Sequence, residues 1–177
     1  EFNCDYYGSS LHKWLATPLG AGLLYINKNN THKIWPLLAN GNTNKNDIKR
    51  LNHIGTHPVH TDLAISNSID YIKWIGVRKK EERMRFLQRY WSDKLRGFKN
   101  VIVNTPEDNH RSCGIGNVGL TNMSPSDMAK TLFKNYKIFT VAIDYANVKG
   151  CRISPNIFTT TSELDTFVNA VKEMANT

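Results

Sequence analysis

Cysteine is scarce in this sequence, and long apolar runs are missing from it. The 177 residues contain three cysteines, Cys4, Cys113 and Cys151, an odd number without a CxxC pair. A disulfide framework is therefore not expected, and the pattern predicts a reducing compartment, the cytoplasm. No apolar run reaches the roughly 20 residues of a transmembrane helix. No basic segment followed by an apolar stretch opens the chain, so we expect neither a membrane partner nor a signal peptide.

Metal-site spacings and acidic residues are also in short supply. His53, His57 and His60 come nearest to a metal-site pattern, but no cysteine or carboxylate cluster accompanies them, so we expect no metal. Lysine and arginine number 23 against 15 acidic residues, which gives a net charge of +8. Much of the positive charge lies in residues 78–96, where acidic residues interrupt it, as is typical of a solvated helix face. A nucleic-acid partner would rest on charge alone and is not expected.

The first half of the chain alternates apolar segments with polar turns. Residues 23–26 form a continuous apolar run, which predicts a strand buried on both faces. Residues 34–38 are an apolar patch that predicts a helical turn, and the asparagine-rich residues 40–47 predict a mobile surface loop. Apolar residues at helical spacing predict one helix over 63–75 and a second over 81–95, ended by glycines.

The second half predicts a small α+β unit. Ser124-Pro125 and Thr161-Ser162-Glu163 have the composition of helix starts, and each precedes an apolar stripe. Apolar runs between them and before them predict strands at 101–103, within 111–120, at 138–143 and at 150–157.

Ser10-Leu11-His12-Lys13 is the segment richest in chemistry. It supplies a hydroxyl, an imidazole and an amine within four residues, a set that can hold a phosphate and place a nucleophilic amine beside it. A lysine becomes a good nucleophile when burial or nearby positive charge lowers its pKa. Trp14 and Leu15 are expected to exclude water here. The alternative is that the His-Lys pair is solvated surface.

A longer context resembles a known family. It comprises Ser10-x-His12-Lys13-Trp14 with Pro18, Gly20, Gly22 and Leu24-Tyr25, then Gly55-Thr56-His57-Pro58, then Cys151-Arg152-Ile153-Ser154 with Phe158-Thr159-Thr160. In order and spacing these segments resemble class V aminotransferase-like enzymes of fold type I, which use pyridoxal 5'-phosphate (PLP). The resemblance covers essentially the whole chain and is strongest to the isopenicillin N epimerase-like branch.

The resemblance implies a role for five residues. Lys13 would be the catalytic lysine that forms the Schiff base with the PLP aldehyde and then moves a proton at the substrate Cα. Ser10 and His12 would contact the cofactor phosphate. Thr56 would reach the phosphate of a neighbouring subunit, which implies a homodimer with shared active sites. Arg152 would bind the α-carboxylate of an amino-acid substrate.

Each of these residues also has a plainer interpretation. Ser10 could bond to its own turn. Thr56 could be a helix N-cap, and Arg152 could form a surface ion pair. His57 is a weaker candidate for the lining of the site. Residues 139–149 contain no cysteine, whereas the family's desulfurases carry a nucleophilic cysteine well upstream of the carboxylate arginine; desulfurase chemistry is therefore disfavoured, and Cys151 is expected to be packed beside its strand.

The implied fold class runs from α/β to α+β, as in the C-terminal part of a fold-type-I PLP-dependent transferase. Residues 1–66 would be a remnant of the large PLP-binding domain, residues 67–97 connecting helices, and residues 98–177 a small C-terminal α+β domain. The family's ring-pairing aspartate, ring-stacking aromatic and most of its central sheet would precede residue 1. The chain would therefore be a C-terminal fragment that exposes apolar strands and helix faces, self-associates or rearranges locally, and does not bind PLP tightly.

The implied function is PLP-dependent transformation of an amino acid at Cα, by epimerase, lyase or aminotransferase chemistry. The alternative is a non-catalytic α+β remnant that only dimerises or packs.

Overall fold

A computed structural model describes residues 2–52 and 55–177. The chain divides into two compact units, Glu1–Ile75 and Gly76–Thr177. The predicted boundaries at residues 66 and 97 stay a prediction. Within the described ranges, no helix combines the length and the apolar character that crossing a bilayer would require.

The first unit is built on a two-stranded antiparallel hairpin. Strand β1 (Tyr6–Ser10) pairs with β2 (Gly22–Ile26), with Ser10 opposite Gly22. Two short 3-10 helices follow, Lys28–Lys33 and Ile48–Leu51, and helix α1 (Val59–Ile75) ends the unit. Gly76 follows α1 with a φ of 89°, a conformation that favours glycine, so the predicted stop at this residue is confirmed.

The prediction that residues 23–26 are buried on both faces is wrong for this unit. β2 has one partner strand, and Leu24 is 61% exposed. A two-stranded hairpin cannot bury both of its faces, because each face needs another layer of structure to cover it. On α1, Leu63 and Trp74 are also mostly exposed. The expected exposure of apolar strand and helix faces is therefore confirmed; self-association stays a prediction.

The connection between β2 and α1 differs from the predicted helical turn at 34–38. Helical structure precedes that segment, at Lys28–Lys33, and residues 34–36 are not helical; Trp35 and Leu37 are exposed. Pro36 disfavours a helical conformation of the residue before it. The predicted polar loop at 40–47 consists of turns in which asparagine side chains accept hydrogen bonds from backbone N–H groups. In one of them the Asn42 N–H donates to Asn40 Oδ1 at 2.8 Å.

The second unit is an antiparallel four-stranded sheet with three helices. Helix α2 (Val77–Leu95) comes first, followed by β3 (Val101–Val103), β4 (Gly116–Leu120), α3 (Pro125–Tyr136), β5 (Val141–Tyr145), β6 (Val148–Ile153) and α4 (Thr161–Ala175). The strand order is β3-β4-β6-β5. Trp91 of α2 and Phe167 of α4 meet edge to face at 5.7 Å in the core, to which β4 contributes Val118 and β6 contributes Cys151.

The predicted elements of this unit are confirmed, with shifted ends. The predicted Ser124 cap is confirmed, because its side chain accepts from the Asp127 N–H. The predicted start of the last helix at Thr161 is also confirmed, and Thr160, a residue not predicted as a cap, forms a capping box with Glu163. β5 begins at Val141 rather than at Ile138, because the Ile138 N–H closes the end of α3 by donating to the Leu132 carbonyl.

Candidate active site

The turn between β1 and β2 contains Lys13, the residue predicted to be the catalytic lysine. It is closed by a backbone bond from the Leu11 N–H to the Ala21 carbonyl at 3.0 Å and by another from the Ala16 N–H to the Lys13 carbonyl at 3.2 Å. Leu11 and Ala21 are buried, and Thr17 between them is 6% exposed. The base of the turn is therefore anchored in the unit, while Lys13 lies in its tip and is exposed.

Ser10 ends β1, and His12 and Lys13 lie in the turn that follows it. The His12 ring is half-buried, and its Nδ1 atom is buried without a hydrogen-bond partner among the described residues. The Ser10 hydroxyl and the Lys13 amine likewise have no partner within residues 2–52 and 55–177. The local turn bond considered for Ser10 is thus not formed there. An unpaired buried nitrogen costs about 1–3 kcal/mol, which a bound acceptor or donor would offset.

The expectation that Trp14 and Leu15 keep the lysine dry is wrong for this unit. Trp14 is 39% exposed, Leu15 is half-buried and Lys13 itself is exposed. These side chains follow the lysine within a short turn, and they provide no layer that covers its amine.

Thr56 lies in the same unit, before α1. It is exposed and makes no hydrogen bond with the described residues, and α1 begins three positions later at Val59. A capping threonine would accept the N–H of the second or third helical residue. The N-cap interpretation of Thr56 is therefore wrong. His53, one of the histidines considered for a metal pattern, lies outside the described residues.

His57 lies next to Thr56, and its imidazole has two acceptors close by. Its Nδ1 lies 3.2 Å from the Gly55 carbonyl oxygen, and its Nε2 lies 3.1 Å from the Asp62 carboxylate. These two acceptors raise the pKa of His57, with the Gly55 carbonyl as the larger cause. The signal for this pairing in the sequence is Asp62, the acidic residue in the first turn of α1, five positions after His57.

Arg152 lies in the second unit, on β6, directly opposite Asn117 of β4 and Val141 of β5. Its neighbours Cys151 and Ile153 are buried in the core, whereas Arg152 is exposed, as the alternation of side chains along a strand requires. Its guanidinium group has no hydrogen bond and no ion pair in the described part of the chain. The alternative of a surface ion pair is therefore not observed there.

Cys151 is fully buried, and its thiol lies 3.5 Å from the Pro125 carbonyl oxygen. Burial raises the pKa of this thiol, so little reactive thiolate forms at neutral pH. The prediction that Cys151 is packed beside its strand is confirmed.

Comparison with known proteins identifies the family. The model of the class V aminotransferase family matches residues 1–167. The chain belongs to this family. The predicted resemblance and fold class are thereby confirmed.

Several curated relatives of this class V aminotransferase family chain differ in activity. Isopenicillin N epimerase from Amycolatopsis lactamdurans is 23% identical over 97% of this chain and 47% of its own length. Cysteine desulfurase from Wigglesworthia glossinidia brevipalpis is 23% identical over 97% and 45%. Kynureninase from Bacillus mycoides is 24% identical over 98% and 43%. The chain thus spans about half the length of the curated relatives it matches.

Solved structures show the same fold. The apo cysteine desulfurase from Thermococcus onnurineus matches with a TM-score of 0.82 and 19% identity, over 97% of this chain and 47% of that one. The cysteine desulfurase CsdA from Escherichia coli matches with a TM-score of 0.80 and 22% identity, over 97% and 46%. The mixed α/β fold therefore matches the C-terminal half of fold-type-I PLP enzymes.

Proposed function

We propose that this chain carries the C-terminal part of an enzyme that transforms an amino acid at Cα with PLP as cofactor. The reaction is an epimerisation, an elimination or an amino-group transfer. The observation that carries the proposal is the lysine turn, in which a buried imidazole nitrogen, a hydroxyl and an amine lie without partners among the described residues. Family membership supports the cofactor class.

The donor set of the turn fits the phosphate of PLP. Phosphate oxygens accept hydrogen bonds, and the Ser10 hydroxyl and a protonated His12 nitrogen donate them. Contact with an anion would satisfy the His12 Nδ1 that the described residues leave unpaired. When bound, PLP withdraws electrons from the Cα of the substrate.

Lys13 is assigned to covalent attachment of the cofactor and to proton transfer at the substrate Cα. An exposed amine on an anchored turn can approach a ligand without disturbing the core. Arg152 is assigned to the substrate α-carboxylate, because its planar group binds a carboxylate through two parallel hydrogen bonds and no acidic side chain among the described residues occupies it.

Thr56 is assigned to the phosphate of a neighbouring subunit, which makes the enzyme a homodimer with shared active sites. Its exposed hydroxyl, free of a capping bond, supports this assignment. We place the enzyme in the cytoplasm, because its cysteine usage fits a reducing compartment.

Persulfide formation is disfavoured as the reaction. It requires a reactive thiolate, and the thiol nearest to Arg152 in sequence, Cys151, is fully buried with a raised pKa. Residues 139–149 offer no other cysteine.

The test is selective labelling of Lys13. The chain is incubated with PLP at high concentration, reduced with borohydride and mapped by peptide mass spectrometry. We expect Lys13 to be modified well above Lys130, an exposed lysine of the second unit, and we expect the preference to disappear with pyridoxal, which lacks the phosphate. Ser10→Ala and His12→Ala should weaken the preference. Equal labelling of Lys13 and Lys130 would contradict the assignment.

The non-catalytic alternative has its own supporting observation. The first unit leaves Leu24, Leu63 and Trp74 exposed, as a surface that only packs against other protein would. A chain that associates reversibly in analytical ultracentrifugation, but shows no phosphate-dependent preference for Lys13, would favour this alternative.

A further inference from the structure

Asn117 is the residue directly opposite Arg152 in the β4–β6 ladder. Directly opposite residues of an antiparallel pair extend their side chains from the same face of the sheet, with Cβ atoms about 5 Å apart. The neighbouring positions, Val118 and Cys151, face the core and are fully buried. Asn117 and Arg152 therefore share the face of the sheet that lies opposite the core.

The hydrogen bonds of Asn104 fix which way the Asn117 carboxamide is turned. The Asn104 Nδ2 group donates to the Lys149 carbonyl oxygen at 3.0 Å and to Asn117 Oδ1 at 2.7 Å. Because a carbonyl can only accept, the Asn104 atom at this point must be its nitrogen, and the Asn117 atom facing it must be its oxygen. The NH2 group of Asn117 is then the part of the carboxamide that does not contact Asn104.

The rest of Asn117 is held in place. Its backbone N–H donates to the Thr105 hydroxyl at 2.7 Å, and its carbonyl accepts from the Asn104 N–H at 3.0 Å. At Gly150 an added Cβ would lie 2.6 Å from Asn117 Oδ1, so glycine leaves the space that the carboxamide fills. The Asn117 NH2 group, like the Arg152 guanidinium, has no acceptor among the described residues.

We propose that Asn117 and Arg152 together form the binding site for the substrate carboxylate, with Asn117 as a specificity-determining second donor and Asn104 as the positioning residue that aims it. The inference rests on the proposed function for the identity of the substrate, but the geometry concerns the second unit alone. Two donor groups on one face, with no acid paired to either in the described chain, favour an anion with two oxygens. Asn117 thus discriminates a carboxylate from a ligand that offers one acceptor.

The experiment is an NMR titration of the ¹⁵N-labelled chain with sodium acetate as the probe. We expect the Asn117 side-chain NH2 and the Arg152 Nε–H signals to shift together with one apparent Kd. Sodium chloride at equal ionic strength and neutral acetamide should leave both in place. Asn117→Asp keeps the oxygen that Asn104 binds but replaces the NH2 group with a competing carboxylate, so it should raise the apparent Kd about tenfold or more. Lys130→Gln is the matched control and should leave the Kd unchanged.

The outcomes separate the two proposals. If Arg152 shifts while Asn117 does not, or if Asn117→Asp binds acetate normally with a native spectrum, the role of Asn117 is wrong. If neither signal shifts, the carboxylate site is wrong. Asn117→Ser, which is smaller and uncharged, distinguishes lost binding from lost folding, because a native spectrum with weakened acetate binding supports the proposal. The labelling of Lys13 by PLP does not depend on any of these results.

Discussion

Gly116 lies where strand β4 crosses the ring of Trp91. A Cβ added at this position would lie 2.4 Å from Trp91 Cζ2 and 3.0 Å from the Thr105 hydroxyl oxygen. Ordinary van der Waals contacts are 3.4–4 Å, so the methyl group of Gly116→Ala requires a displacement of about 1 Å. Trp91 cannot easily provide it, because it is fully buried and packs edge to face on Phe167.

The magnitude follows from two opposing terms. Overpacking a close-packed core costs about 1–3 kcal/mol, and the rigid indole ring places Gly116→Ala near the upper end. Replacing glycine by alanine also stabilises the protein by about 0.4–1 kcal/mol, because the unfolded chain loses conformational freedom. We therefore expect a net loss of about 2 kcal/mol. Gly114→Ala is the matched control: its Cβ would lie 2.4 Å from Met84 Cε, the flexible end of that side chain, and 3.0 Å from Met84 Cβ. Because the methionine end can move aside, this variant should cost less than Gly116→Ala.

The assay is hydrogen exchange of the β4 and β6 amides, which reports the opening free energy of the second unit. A double-mutant cycle with Trp91→Phe isolates the cause, because phenylalanine lacks the atoms that clash with the new methyl group. Both single variants should lower the opening free energy, and the double variant should be close to Trp91→Phe alone. Strictly additive effects would show that the cost of Gly116→Ala does not arise at the Trp91 ring, and the reasoning would be refuted.

Three further predictions concern titration, reactivity and capping. The pKa of His57, followed by NMR, should lie above the ordinary histidine value and should fall in Asp62→Asn. Because the pKa is raised in the folded state, the interactions of His57 should stabilise the fold fully at low pH, and this stabilisation should be lost as the pH rises through the folded-state pKa. Cys113 is exposed and should react with a thiol reagent in the folded chain, whereas buried Cys151 should react only on unfolding; equal rates would contradict the packing. Thr160→Ala should destabilise the second unit by about 1 kcal/mol in urea unfolding, and Thr160→Ser should not.

Local sequence signals predict the second unit well, because its helices and strands bury their apolar faces against one another in one core. The Ser124 cap and the Thr161-Ser162-Glu163 start predict where α3 and α4 begin, and both helices contribute apolar residues to the core. The errors lie at the ends of elements. The apolar residues Ile138 and Phe139 predict a strand that begins at 138, but Ile138 ends the preceding helix. Periodicity cannot distinguish these two uses of an apolar residue.

The first unit shows where such signals fail. The apolar run at 23–26 correctly indicated a strand, but burial depends on what covers a strand, which its own residues do not encode. The same limit applies to the candidate site. Spacing placed Ser10, His12 and Lys13 in one turn, yet the dry environment expected from Trp14 and Leu15 is absent from this unit.

Tertiary pairing supplies what the sequence pattern could not. Asn117 and Arg152 are 35 positions apart, and no motif joins them; only the β4–β6 register places them opposite each other. In the sequence, both residues are exceptions to an apolar pattern: Asn117 is a polar residue within the apolar run of β4, and Arg152 stands between two core residues of β6. A polar residue on the face of the sheet directed away from the core does not destabilise the strand, because its side chain is not buried among apolar groups. On that face the side chain is available to bind a ligand. In this chain the β4–β6 register pairs two such exceptions, Asn117 and Arg152, on one face of the sheet, and this pairing motivates the proposed carboxylate site.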